Sequence, residues 1–323
     1  MSEYISGRLA NCIAFIVLAY LAIRIMPVAK NIFSVVLLAP YMGLLAGTYS
    51  IDGIGTALIL LFAALCFYDS YQERELTVRD YLLLLAMAVF VLIFKREAYS
   101  AALLFLFLIP LKKLLKRDAF VKIFKIACPV VLLLCVALAC VYLSHLPVQF
   151  SDSRGGSHVN ASQQFVNMIK HPVFTFFVYL NHVRTSFLTF GTFESMIAND
   201  YFFGIRCNMA SPVVALWFFV AATDHNAEEI RKGQAIREKL LLAADVLITP
   251  ALLFAGMYMI FCNVGSRTFS GLQPRYLYPI MPFLLMLLNS KRIKNTIRQY
   301  SSKVAFCSSL LLVVSLAEMV LVQ

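Results

Sequence analysis

The chain has 323 residues, of which 61% are hydrophobic and only 14% charged, with a formal net charge of +11 and a mean hydropathy of +0.81. Soluble domains are roughly half apolar and about a quarter charged, so a soluble enzyme or secreted module is excluded. The excess of Lys and Arg fits basic loops that orient an integral membrane protein better than a nucleic-acid surface, and no nucleic-acid partner is expected.

Apolar runs follow one another at Leu9–Met26, Ile32–Thr48, Ile54–Tyr71, Tyr81–Phe94, Tyr99–Leu111, Ile126–Leu143, Met209–Thr223, Leu240–Cys262, Tyr276–Leu288 and Val304–Val322. Most are long enough to cross a hydrocarbon core about 30 Å thick. The pattern predicts an all-α fold: a polytopic transmembrane bundle of about ten helices, forming one integral membrane domain over residues 1–323. The runs on either side of Lys95, Arg96 and Glu97 are short, which leaves two thin spans or a re-entrant hairpin, with the same parity in either case.

Parity and charge then orient the bundle. With the six basic residues of Lys112–Lys125 in the cytoplasm, nineteen of the 28 Lys and Arg fall on that side, as the positive-inside rule requires. The basic Lys291–Lys303 segment is expected against anionic headgroups. Residues 144–208 become one large external loop. Within it Pro172–Phe190 is apolar but carries Asn181, His182 and Arg184 at its centre. Charge at mid-membrane is costly, so this stretch reads as an amphipathic helix on the outer surface. Asp245 and Glu318 are placed near helix ends, where they need no burial. The expected location is a bacterial cytoplasmic membrane.

Cysteine carries little chemistry here. Cys12, Cys66, Cys128, Cys135, Cys140, Cys262 and Cys307 fall in apolar runs, Cys207 lies near a boundary, and no CxxC occurs, so neither a disulfide framework nor a zinc site is indicated. His145, His158, His171 and His182 lie in or beside the external loop at spacings that fit no metal motif. No metal-ligand set is identified. Ser153–Ser157 (SRGGS) is a turn without the lysine of a phosphate loop, and Glu228 with Lys232 is a helical pair on a solvated face.

Two polar positions remain at the external ends of helices. Asp52 follows Ser50 in a tight turn, where it serves either as a cap or as the acid of a polar site. Arg275 stands in SGLQPRYLYPIMP (Ser270–Pro282) with Tyr276 and Tyr278 beside it. It is either an anchor that snorkels to headgroups or a planar guanidinium holding a phosphate.

GLQPRYLYP resembles the G-V-Q-G-R-Y-F-x-P signature of an uncharacterised family of polytopic bacterial membrane proteins with the architecture of GT-C glycosyltransferases. Gly271, Gln273, Arg275, Tyr276 and Pro279 match, and Pro274 replaces a glycine. Gly7–Leu9 (GRL) opening a helix, the Ser50-x-Asp52 turn, Lys95 with Tyr99, Pro110, and His171–Pro172 agree in order. The resemblance implies handling of a polyprenyl-phosphate-linked sugar in envelope glycan assembly. Asp52 is then the candidate catalytic acid, and Arg275, Tyr276, Gln273, Lys95, Arg96, Tyr99, Arg184 and His171 are the candidate substrate-binding residues. Membrane lipids and the lipid-linked sugar are the implied partners; a divalent metal cofactor is left open. The family's P-D-E-x-x-H motif in a first external loop is absent, which points to a missing N-terminal segment or a partner chain, and to inactivity without it. A non-catalytic scaffold or a lipid-linked glycan transporter is the alternative.

Overall fold

The computed structural model describes residues 3–114, 138, 141–142, 145, 159–187, 208–224, 232–269, 272–289, 293 and 295–321. Most of the Lys112–Lys125 segment and of the Ile126–Leu143 run lies outside the described residues. So do Asp152, the 153–157 turn, His158, Glu194, Asp200, Cys207, Glu228, and the side chains of Lys95, Arg96 and Lys232.

Among the described residues every element is helical. In chain order they are α1 (Glu3–Ile25), α2 (Lys30–Leu37), α3 (Pro40–Ala46), α4 (Ile51–Tyr71), α5 (Val78–Lys95), a 3-10 segment (Arg96–Leu108) and α6 (Leu111–Leu114). Then come α7 (Ala161–Lys170), α8 (Pro172–His182) with a π turn (Val183–Phe187), α9 (Ala210–Thr223) and α10 (Lys232–Phe261). A second 3-10 segment (Pro274–Ile280), α11 (Met281–Leu288) and α12 (Tyr300–Leu321) close the chain. Four helices are long and apolar enough to cross a membrane: α1 from Ile5, α4, α10 from Ile236, and α12. Three shorter apolar stretches, Ala98–Leu108, Ala210–Thr223 and Arg275–Leu288, accompany them. This is a helical integral membrane protein.

The chain forms two compact units. The first holds Met1–Ile109, Phe190–Thr249 and Pro274–Gln323; the second holds Pro110–Thr189 and Pro250–Gln273. The division falls within α10, between Thr249 and Pro250.

In the first unit α4 is the centre. Of its spanning window 78% is buried, against 17% of α1 and 22% of α12, so α4 touches protein nearly all round while the other two face outward. Helix α1 packs along it on one side, α5 and the Arg96–Leu108 segment on another.

Polar contacts define two ends of this unit. At one, Arg8 Nε donates to the Gly47 carbonyl, Tyr49 Oη to the Glu3 carbonyl at 3.0 Å, and the start of α4 meets Arg275. At the other, the buried Asp224 carboxylate accepts from Asn31 Nδ2 at 2.7 Å and from the Ile32 amide at 3.3 Å, while Asn289 Nδ2 donates to its carbonyl at 2.6 Å. Asp224 thereby supplies an acceptor to the buried Ile32 amide in the first turn of α2, where backbone amides have no partner within the helix.

The Ile32–Thr48 run, expected as a single helix, is two. Pro40 starts α3, and Ala39 before it is extended at φ −62°, ψ 144°, because a proline ring crowds a helical conformation in the preceding residue. The Arg96–Leu108 segment runs the height of α4: Tyr99 lies beside Asp52, and the Leu108 carbonyl accepts from Ser70 Oγ at 2.8 Å. The segment is kinked at Tyr99, whose φ −109° and ψ 17° are not helical. Gly7–Leu9 does not open its helix, since α1 begins at Glu3.

Asp245 departs from expectation most. Helix α10 starts at Lys232, well before the apolar run, so Asp245 is in its interior; it is 1% exposed and its Oδ1 accepts from Thr249 Oγ1 at 3.1 Å.

In the second unit, Val178 of α8 packs with Phe254 and Tyr258 of α10 and with Cys262 just beyond it, and Phe174, Tyr179 and Phe269 join them. The opposite face of α8, Val173, Phe176, Phe177 and Leu180, is exposed and apolar. Both faces of the helix are therefore hydrophobic, one toward protein and one toward the surroundings.

Candidate functional site

The site begins with a turn. Ser50 caps α4, its Oγ accepting from the Asp52 amide at 3.2 Å, and the carboxylate in the first turn suits the positive end of the helix. Asn11, on α1, holds that turn from the side. Its Nδ2 reaches the carbonyls of Thr48 at 2.7 Å, Ala46 at 3.1 Å, and Leu45 and Ser50 at 3.4 Å. These include the last carbonyls of α3, which have no intrahelical donor. Arg8 assists at Gly47. Gly7 leaves room for Tyr49, whose hydroxyl would lie 2.3 Å from a Cβ there. Sequence reasoning noted Gly7–Leu9 and missed Asn11. The available signal was a lone amide among apolar neighbours in NCIAFIVL, Asn11–Leu18.

Asp52 then meets Arg275. Arg275 Nε stands 3.3 Å from Asp52 Oδ2, with side-chain exposures of 17% and 11%. The guanidinium carbon is 5.4 Å from the Tyr276 ring centroid, a cation–π contact. Tyr99, 2% exposed, donates from its hydroxyl to the Tyr276 carbonyl at 2.8 Å. Below them Tyr41 stacks on Tyr278 at 5.9 Å, and Trp217 meets Tyr278 edge-on at 6.1 Å while its Nε1 donates to the Val35 carbonyl at 3.0 Å.

Asp52, Gly55, Thr56, Ile59, Tyr99, Arg275 and Pro279 surround a crevice with no room for a water molecule. Gln273 Oε1 and Tyr278 Oη are buried with no hydrogen-bond partner among the described residues.

The fold thus joins Asp52, Tyr99, Arg275 and Tyr276 in one cluster, whereas Gln273 belongs to the second unit. Lys95 and Arg96 belong to the same end by backbone position, at the junction of α5 with the segment that carries Tyr99. Arg184 and His171 are in the second unit. His171, exposed, links α7 to α8, and Arg184 Nη2 donates to Asn181 Oδ1 at 3.1 Å. Half-buried His182 lies 4.2 Å from Phe269 between ring centroids, and burial pulls its imidazole down to about 4. Among the described residues no group of His, Cys, Asp and Glu is placed to hold a metal ion.

Residues 2–284 match the family described as predicted membrane protein (DUF2142). The chain belongs to this DUF2142 family. The match covers Asp52, Tyr99 and Arg275 alike, so the whole cluster lies within the family region. No curated protein and no solved structure matches the chain.

Proposed function

We propose that the chain acts on a polyprenyl-phosphate-linked sugar at the external face of a bacterial cytoplasmic membrane, in envelope glycan assembly. The carrying observation is the contact between Asp52 and Arg275. A carboxylate and a guanidinium in a dry crevice at one end of the bundle form a closed resting pair. A lipid phosphate competes for the guanidinium, whose planar fork suits it, and displaces Asp52.

The freed carboxylate then takes the proton of an acceptor hydroxyl as that oxygen bonds to the anomeric carbon. The bond from the anomeric carbon to the phosphate oxygen breaks, and the departing lipid phosphate keeps the electron pair and is held by Arg275. Lys95 and Arg96, at the start of the Tyr99 segment, are further cations for the same phosphate.

The test is binding of, and transfer from, a panel of polyprenyl-phosphate sugars in liposomes containing the full chain, transfer being expected only when a segment carrying the P-D-E-x-x-H motif is supplied with it. Asp52→Asn should abolish transfer and keep lipid-phosphate binding, and Arg275→Lys should weaken binding. Equal binding by wild type and Arg275→Lys would overturn the reading.

Asp245 favours a second reading. An acid buried in the interior of a membrane helix is by default a functional candidate, and a transporter of lipid-linked glycans would use one. Loss of glycan flux across liposomes in Asp245→Asn, with transfer chemistry absent in wild type, would select it.

A further inference from the structure

At the end of the first unit opposite Asp52, α1 and α5 both pack on α4 and leave a lateral groove of about 420 Å³ between them. This lies within the range of about 300–1,000 Å³ typical of small-ligand sites. Its walls are three helix faces: Leu21, Arg24 and Ile25 from α1; Leu65, Tyr68 and Asp69 from α4; Asp80, Leu83 and Leu84 from α5. The charged members all come from the terminal turns, Arg24 and Asp69 from the last, Asp80 from the first. The leucines Leu21, Leu65, Leu83 and Leu84 stand further along the helices, toward their middles. The groove therefore has a polar mouth at headgroup level and an apolar floor running into the membrane.

Charge chooses the occupant. Arg74 makes a bidentate pair with Asp80 at 2.6 and 3.0 Å and approaches Asp69 at 4.0 Å, so the acids of the mouth have a cation of their own. Arg24 pairs with no carboxylate among the described residues. Its Nη1 donates to Tyr20 Oη at 3.0 Å, and its guanidinium carbon lies 5.8 Å from that ring centroid, which orients it at the groove it lines. An oriented guanidinium at the rim of an apolar cleft matches an amphiphile with an anionic head.

We propose that this groove binds one membrane phospholipid, its phosphodiester on Arg24 and an acyl chain along Leu21, Leu65 and Leu84. The site is separate from the Asp52–Arg275 cluster and stands or falls without it.

The experiment uses the full chain, delipidated in a non-ionic detergent and titrated with phosphatidylglycerol, with diacylglycerol of the same chains, and with inorganic phosphate. Bound lipid is counted by native mass spectrometry. One phosphatidylglycerol per chain is expected, with diacylglycerol and inorganic phosphate bound at least about tenfold more weakly, as one charge-assisted contact would give. Arg24→Gln should lose that preference and Arg24→Lys keep most of it, since a phosphodiester accepts a point charge. Leu84→Trp should exclude the lipid by filling the groove with Arg24 intact. Unchanged phosphatidylglycerol binding in Arg24→Gln, equal binding of diacylglycerol, or lipid retained by Leu84→Trp would each overturn the assignment.

Discussion

The Tyr99 hydroxyl donates to the Tyr276 carbonyl across 2.8 Å, tying the 3-10 segment that follows α5 to the one that carries Arg275. A 3-10 backbone has poorer hydrogen-bond geometry than an α-helix, and each segment is steadied by the other. Tyr99→Phe keeps the ring and removes the tie, and leaves a half-buried carbonyl without this donor. A loss of about 1–3 kcal/mol is expected, read as a lower midpoint of thermal unfolding in detergent. A midpoint unchanged from wild type would show that the two segments are fixed by other means.

Asn11 makes a related prediction at the opposite wall of the same site. Its amide serves the carbonyls at the end of α3 and in the Ser50 turn, so Asn11→Ala should free the turn and let Asp52 drift from Arg275. The expected cost is about 1–3 kcal/mol. Asn11→Asp should be worse than Ala, because an acceptor then faces acceptors. Thermal unfolding of the two variants, ranked against wild type, decides it.

Asp52 and Arg275 should show coupled energetics. Removing one partner of a fully buried pair costs roughly 3–5 kcal/mol; the residual exposure here places the expected loss below that range. Asp52→Ala and Arg275→Ala should be less than additive in the double variant, by roughly 0.5–3 kcal/mol. Strict additivity would mean that the contact contributes nothing.

His182 gives a pH dependence. Burial holds the folded imidazole near pKa 4, against an ordinary value near 6.5. Between these values the unfolded chain is protonated and the folded one is not, so stability falls as pH drops from 6.5 toward 4 and levels off below. His182→Phe should flatten this part of the curve. Thermal midpoints taken across pH 4–7 would show it.

Sidedness is open to labelling. The expectation from the positive-inside rule is that the Arg24 and Arg74 end faces the cytoplasm. In intact cells, Ile51→Cys should react with a membrane-impermeant maleimide and Glu73→Cys should react only after permeabilisation. The reverse pattern would invert the bundle.

What the sequence made legible follows from where the physics is local. Composition and long apolar runs depend on single helices, and α1, α4, α10 and α12 emerge as expected. Arg275 and Asp52 could each be singled out as polar residues at helix ends, yet their contact is long-range and nothing in either stretch announces it. Arg275 is only 17% exposed in its side chain and stands beside a carboxylate, which its own stretch of sequence does not foretell. Asp245 was misplaced because apolar periodicity located the start of α10 at Leu240, while the helix continues back through residues too polar to count. Asp224 and its asparagines went unnoticed for a similar reason: polar residues at the ends of apolar runs look like loop, and only the fold shows that they join α2, α9 and α11.

The enclosure of α4 also bears on how the chain tolerates substitution. Gly53, Gly55, Ala57, Ala63 and Ala64 are buried on it, so most of this helix has no room for bulk; the exception is the face of Leu65 and Tyr68, which lines the groove. A saturation scan should therefore trace α4 as intolerant on all but that one face, whereas α1 and α12 should each show a broad permissive outer stripe where any apolar residue serves. The difference would be visible in variant fitness alone, before any activity is assayed, and it would mark which of the four long helices the others were built around.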